Sequence, residues 1–232
     1  MRYIITSDIH GCYAAMDALL EKTDLQPDDV LILAGDLIDR GSNSYEVYRD
    51  ARELYERKEP ETIIIRGNHE QMMIDVHASA VGSLGQRWTS SRMWFSNGGE
   101  ETERSFRKVR ASLSNAAFFF KYKSVYYYET ENFIVVHADP RSLENPHACM
   151  WDTWSMDHND YQGKLAFVGH SPKKEPLYLD GVGGPGKALP YGEWLDLPDT
   201  GIICIDTGGV FGGAYTAVIV DKRKMKLVKW KA

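Results

Sequence analysis

Six side chains of metal-binding type stand at the ends of hydrophobic, β-type runs: Asp8, His10, Asp36, Asn68, His137 and His170. Tyr3-Ile4-Ile5 leads into Asp8-Ile9-His10-Gly11, and Val30 to Ala34 leads into Gly35-Asp36-Leu37-Ile38-Asp39-Arg40-Gly41. Ile63-Ile64-Ile65 leads into Arg66-Gly67-Asn68-His69-Glu70. Later, Phe133 to Val136 leads into His137, and Leu165 to Val168 into Gly169-His170-Ser171. Open α/β sheets gather their chemistry outside the carboxyl ends of the strands. Five such ends should therefore surround one cleft.

Asp8 and His10 offer an oxygen and an imidazole from one strand-to-loop turn, and the carboxylate of Asp36 can bridge two cations. Asn68, His137 and His170 complete a second mixed oxygen and nitrogen set. Such donors suit manganese, iron, zinc or nickel rather than calcium or magnesium alone. Two divalent ions, with manganese the first expectation, would lie about 4 Å apart and hold a shared hydroxide for in-line attack on phosphorus. His69 is then free to protonate the leaving alkoxide, with Asp39 holding its imidazolium in place. Arg40 offers a planar fork for phosphate oxygens, and Asn68 also faces the substrate. Taken singly, each residue has a plainer reading: a helix cap for Asp8, a solvated pair for Asp39-Arg40, a structural histidine for His137 or His170. Five matching strand ends in order outweigh those readings.

The elements that must position these groups follow from the pattern. Tyr13 to Thr23 has helical apolar spacing, and Ser42 to Lys58 reads as a second helix with Ser42 as its cap. Strand, helix, strand, helix, strand gives two βαβ units and a parallel sheet. Residues 71–120 read as mostly helical, with breaks at Gly82 to Gly85 and Asn97-Gly98-Gly99, and form a substrate-shaping segment. Strands return over 124–129, 133–137, 165–168, 201–206, 215–220 and 225–230, with Asp221 to Lys224 turning the last hairpin. The Gly- and Pro-rich stretch from Asp180 to Asp199 reads as a long surface loop. A mixed two-sheet sandwich with helices outside fits this order.

The 232 residues suit one domain with a substantial core. Hydrophobic residues make up 43% and charged residues 26%, as in ordinary soluble globular proteins. No apolar run approaches a membrane span, and the start runs into a strand without a cleavable signal pattern, so a cytoplasmic location is expected. Three scattered cysteines argue against a disulfide framework or a Cys-rich zinc site. Cys12, two residues after His10, is a bystander thiol in the plainer reading and a redox-sensitive one in the sharper. A net charge of −6 disfavours nonspecific nucleic-acid binding.

The stretches around Asp8-His10, Asp36-Asp39-Arg40, Asn68-His69, His137 and His170 resemble the signature of PPP-type metallophosphoesterases. That family includes serine/threonine protein phosphatases and symmetrical diadenosine tetraphosphatases. The likeness runs from residue 3 to residue 220. Trp94-Phe95-Ser96-Asn97-Gly98-Gly99 and Ile205-Asp206-Thr207-Gly208-Gly209 resemble the bacterial and phage, lambda-phosphatase-like branch. The resemblance implies a four-layer αββα sandwich with the ligand and acid roles given above. It implies a serine/threonine protein phosphatase acting on a phosphorylated protein. A hydrolase of dinucleoside polyphosphates or other small phosphoesters is the alternative, with Trp151, Trp154 and Tyr191 available to meet a base. A metal-containing protein that binds phosphorylated ligands without turnover is the rival of another class.

Two departures bear on substrate. His137-Ala138-Asp139 stands where the family has His-Ala-Gly or His-Gly-Gly, and Trp151-Asp152-Thr153 lacks the family's second phosphate-gripping arginine. Losing such a donor costs on the order of 10²–10³ in rate unless it is replaced. Arg141, Lys173, Arg87 and Arg92 are the candidate replacements. His77, His147 and His158 match no ligand motif and read as surface or core residues. Arg104, Arg107, Lys108 and Arg110 read as a solvated helix face, and Tyr126-Tyr127-Tyr128 as strand packing. The lysines from Lys222 to Lys231 read as protection of a terminal edge strand.

Overall fold

The fold is described from a computed structural model, over residues 1–78, 84–152 and 160–232. The apolar runs form strands that alternate between two faces, and this alternation decides the layers. In β1 (Tyr3–Thr6) Ile4 faces outward and Ile5 inward; in β2 (Val30–Leu33) Leu31 and Ile32 divide in the same way. Ile5, Ile32, Val135, Phe167, Ile203, Val218 and Leu227 fill the space between two sheets.

The first sheet has β1 and β2 parallel, with β3 (Glu61–Ile64) parallel beyond β2. Its other half is antiparallel, running from β1 to β11 (Tyr215–Asp221) and then β12 (Lys224–Trp230). The second sheet has β5 (Ile134–Val136), β6 (Ala166–Val168) and β10 (Ile202–Cys204) parallel, with β4 (Tyr127–Glu129) antiparallel to β5. The expected two-sheet α/β sandwich is therefore present, and the strand ends that carry the motifs all open on the same side.

The outer layers are unequal. Helices α1 (Tyr13–Thr23), α2 (Ser44–Arg57), α3 (Asn68–His77), α4 (Leu84–Trp94), α5 (Glu100–Lys108) and α6 (Leu113–Lys123) come before β4. They cover the first sheet with a large apolar cluster that includes Met16, Leu19, Tyr48, Trp94, Phe106 and Phe120. Among the described residues, α7 (Pro146–Trp151) is the one helix on the second sheet's outer face, through buried Cys149, with Leu143 and Tyr161 packed beside it. No described helix is long and apolar enough to cross a membrane.

Several local expectations change. The second helix starts at Ser44, not Ser42, with Asn43 at its cap; Ser42 Oγ instead meets Asn43 Oδ1 at 3.1 Å. The helix break expected at Asn97-Gly98-Gly99 is present as a kink between α4 and α5, where Asn97 (φ −105°) and Gly98 (φ 98°) leave helical geometry. Residues 79–83, where the other break was expected, lie outside the described residues, as do Trp154 and His158.

The stretch 180–199 is not all loop. It carries β8 (Lys187–Ala188) and β9 (Trp194–Asp196), and β7 (Leu177–Leu179) precedes it. Strand β9 pairs with the first half of β12, so β12 is not the sheet edge and its lysines do not simply guard one. Lys224 instead pairs with Asp196 at 2.7 Å, and Lys229 lies over the Tyr191 ring. Arg104 and Arg107 pair with Glu101 and Glu103 on their own helix, as a solvated face requires.

Candidate active site

Where the strands end, the backbone turns sharply. Asp8, His10, Asp36, Asp39, Arg40 and His170 all have positive φ, from 48° to 73°. Non-glycine residues rarely adopt this region, and they persist there only where the surroundings over-determine them. Gly67 and Gly169 make the convergence possible. A Cβ on Gly67 would collide with Asp36 Oδ1, and one on Gly169 with Asp8 Oδ2.

All nine side chains singled out in the sequence meet at this cleft, and most are buried. His10 Nδ1 faces the Ile38 carbonyl at 3.0 Å, so it carries the proton and leaves the Nε2 lone pair free. That Nε2 lies 3.6 Å from Asp36 Oδ2 and 3.9 Å from Asp8 Oδ1. His137 repeats the arrangement: Nδ1 is 2.8 Å from the Ala34 carbonyl, while Nε2 faces Asn68 Oδ1 at 3.1 Å and Asp36 Oδ2 at 3.4 Å. His170 Nδ1 also lies 3.1 Å from Asn68 Oδ1. Two groups of donor atoms result, Asp36-His137-His170 and His10-Asp36 with His69 at its margin, each with atoms within 4.8 Å of one another, and Asp8 stands next to His10 on the second. Asp36 belongs to both.

The chemistry of these donors fits divalent cations. Oxygen and nitrogen lone pairs converge from several sides onto the Asp36 carboxylate, in a buried space where they repel unless a cation or proton lies between them. Burial pushes His10 down to about 3 and, with His137 beside it, His170 down to about 4, which keeps both rings neutral as ligands must be. Burial opposes protonation of His137 as well. There the Asp36 and Asp8 carboxylates prevail and raise it to about 10, so a cation binding on that side displaces a proton.

Beside the cluster stands a second unit. His69 Nδ1 lies 2.7 Å from Asp39 Oδ2, and the ring is 1% exposed. Burial works against the imidazolium, but the Asp36 and Asp39 carboxylates outweigh it and raise the His69 pKa. Arg40 Nη2 reaches to 3.3 Å of His69 Nε2. Its Nε is buried without a hydrogen-bond partner, and its guanidinium lies 5.1 Å over the exposed Phe211 ring. This arginine has donors to spare for an anion.

Other residues of the site escaped the sequence reading. Glu70 is wholly buried; Oε2 accepts from the backbone N–H of Asp36 at 2.9 Å and of Gly67 at 3.0 Å, and Oε1 from Leu37 at 2.8 Å. It ties the β2 and β3 loops together. Its place three residues after Gly67, the spacing of a capping box, was the available signal. Trp94 and Thr102 both bond to the Asp39 carboxylate, and Asp206, pushed up to about 6 by burial and by Asp36, faces the Asp8 side. Trp94 and Asp206 stand in the two stretches that resemble the bacterial and phage branch, though that resemblance assigns them no role, and Thr102 lies in no motif. Arg66, by contrast, turns away from the cleft: its Nη2 donates to the Phe120 and Lys121 carbonyls and so caps the end of α6.

Of the candidate replacements for the missing arginine, Lys173 stays beside the site, where its charge favours the Asp206 carboxylate, while Arg141 and Arg92 are engaged elsewhere. Arg141 forks onto Asp139, with Nε at 3.0 and 2.9 Å from the two carboxylate oxygens. Arg92 lies over Trp88, and the Arg87 side chain is outside the described set. Asp152 pairs with the exposed His147 at 3.2 Å. The Tyr191 hydroxyl bonds to Thr216, and its ring receives Lys229, so it is not an open stacking surface.

Comparison with known proteins agrees with this geometry. Residues 1–204 match the calcineurin-like phosphoesterase family. Serine/threonine-protein phosphatase 1 of Salmonella typhimurium is 26% identical over 229 residues, covering 91% of this chain and 88% of that protein. A symmetrical bis(5'-nucleosyl)-tetraphosphatase of Buchnera aphidicola is 45% identical over 73 residues, 31% of this chain and 25% of that protein. A protein serine/threonine phosphatase from Saccharomyces cerevisiae shares the fold with a TM-score of 0.67 at 12% identity, over 100% of this chain and 80% of that one. The family match spans most of the chain and every strand end that carries a donor. With its converging donors, this chain belongs to the calcineurin-like phosphoesterase family and is a metal-dependent phosphatase.

Proposed function

We propose that the chain hydrolyses phosphomonoesters, with phosphoserine or phosphothreonine in proteins as its substrates. The observation that carries this reading is the His69–Asp39 pair beside Arg40, whose buried Nε has no partner within the protein. Asp8, His10, Asp36, Asn68, His137 and His170 would hold two divalent cations, manganese first among them. When bound, such cations neutralise phosphoryl oxygens and make water a competent nucleophile near neutral pH.

The protein's own groups do the rest. Arg40 grips two phosphate oxygens and aligns the ester, and Asn68 presents its amide beside them. His69, whose imidazolium the Asp39 carboxylate favours through its bond to Nδ1, gives its Nε2 proton to the leaving oxygen as the P–O bond breaks. The extensive match to the Salmonella phosphatase supports a protein substrate.

A second reading, hydrolysis of dinucleoside polyphosphates, is favoured by the higher identity to the Buchnera tetraphosphatase over a short stretch. The engagement of Tyr191 with Thr216 and Lys229 counts against a base-stacking role there.

The test is hydrolysis of a phosphopeptide, p-nitrophenyl phosphate and diadenosine tetraphosphate by metal-stripped protein reconstituted with manganese, nickel, zinc or magnesium in turn. Manganese-dependent turnover with the phosphopeptide preferred is expected. Preference for diadenosine tetraphosphate would replace the first reading by the second.

A further inference from the structure

The helical segment before β4 reaches back to the proton-donating pair. Trp94, the last residue of α4, is fully buried, and its Nε1–H lies 2.9 Å from Asp39 Oδ2 and 3.1 Å from Oδ1. Thr102, in α5, donates to Asp39 Oδ1 at 2.6 Å and accepts the Asp39 backbone N–H at 2.9 Å. A carboxylate has about four lone-pair sites. His69, Trp94 and Thr102 occupy three of them where solvent cannot reach.

The indole is fixed in its turn. Gly99 packs against it so closely that a Cβ there would come within 2.5–2.7 Å of ring atoms. His77 meets the ring edge-on with centroids 5.2 Å apart, and Phe95 stacks on it at 5.4 Å. Any large apolar side chain could fill such a space. The indole N–H adds a donor aimed at Asp39.

We propose that Trp94 and Thr102 are positioning residues for proton donation: they orient the Asp39 carboxylate so that His69 keeps Nδ1–H on Asp39 and presents Nε2–H to the leaving oxygen. This rests on the reading of His69 as the general acid. The proton passes from Nε2 to the departing oxygen as the ester P–O bond breaks and the bond from water oxygen to phosphorus forms. Solvent then reprotonates the ring.

Leaving groups separate this role from a merely structural one. Nitrophenolate departs without a proton, whereas phenolate depends more on one. The full-length, manganese-loaded protein is compared as wild type, Trp94→Phe, Thr102→Val and His69→Asn on p-nitrophenyl phosphate and phenyl phosphate. For Trp94→Phe, kcat on phenyl phosphate should fall about tenfold or more, from the 10²–10⁴ range of general-acid effects, and KM and bound manganese should not change. On p-nitrophenyl phosphate the fall should be under about twofold. Thr102→Val should show the same selectivity more weakly, and it decides the matter if Trp94→Phe does not fold. Equal losses on both substrates, no loss, or a loss carried by KM or by released manganese would overturn the proposal while leaving His69 in place. Absence of leaving-group selectivity in His69→Asn would remove the general-acid reading itself, and the proposal with it.

Discussion

The loops that leave the first sheet are bonded to one another at several points, whereas the two that leave the second share the Gly169 N to His137 O bond at 2.9 Å and otherwise lean on the first. Glu70 holds the N–H groups of Asp36, Leu37 and Gly67, and Asp36 Oδ1 accepts the His69 N–H at 3.1 Å. The β1 and β2 loops run side by side, His10 N to Asp36 O at 2.9 Å and Gly11 N to Leu37 O at 2.7 Å. From the second sheet, His137 leans on the Ala34 carbonyl, and the His170 N–H on Asp8 Oδ2 at 3.1 Å. Beyond those two histidines the chain bonds mostly to itself, as in the Asp139–Arg141 fork and the exposed Asp152–His147 pair. The first-sheet loops thus form the more closely cross-bonded part of the site, and among the described residues the second-sheet rim beyond His137 and His170 makes few bonds to it. The difference teaches that the departures at Asp139 and Asp152 lie outside the bonds that hold the donor-bearing loops together.

The deepest break in this contrast comes at Asp36, the one carboxylate in both donor groups. Asp36→Asn should lower kcat/KM by more than about 10³-fold, beyond the 10–100-fold typical of groups that only support ligands. Paired metal analysis should find cation lost from both groups. Next, Glu70→Ala would strand three buried backbone N–H groups. It should cost about 3 kcal/mol or more in urea unfolding, and about 10–100-fold in manganese affinity. Phe211→Ala tests the seat of Arg40. Loss of the cation–π contact, about 0.5–2 kcal/mol, should raise KM about 2- to 30-fold with little change in kcat. The rim should respond least. Asp152→Ala and His147→Ala should each stay within about 0.5 kcal/mol of wild-type stability, as exposed substitutions do, with turnover of p-nitrophenyl phosphate nearly unchanged. A rim variant that abolished turnover would erase the distinction between the two regions.

Much of the scaffold was legible because each βαβ unit announces itself twice, by an apolar run and by the donor that ends it. Ile4 and Ile5 show the alternation, and Asp8, Asp36 and His137 stand where the strands must stop. Glu70 was half visible, since its spacing from Gly67 signals a helix start but not that its carboxylate reaches across to Asp36 and Leu37. Trp94 stands in a stretch that carries the family resemblance, yet nothing in it tells that the indole meets Asp39, and Thr102 lies in no motif. They lie 55 and 63 residues from Asp39, and only packing of the helical segment brings them back. Arg66 shows the opposite failure: it lies within a motif of the cleft, yet its guanidinium serves the end of α6. The short strands β8 and β9 were hidden by glycine and proline content, because edge pairing needs backbone register more than side-chain pattern.

Anomalous diffraction at the manganese absorption edge, from crystals of the manganese-loaded protein, would settle whether Asp36 joins two metal sites. Two peaks are expected, both within bonding reach of the Asp36 carboxylate, one on the His10 side and one between His137 and His170. A single peak, or a pair of peaks that Asp36 does not touch, would contradict the dinuclear reading.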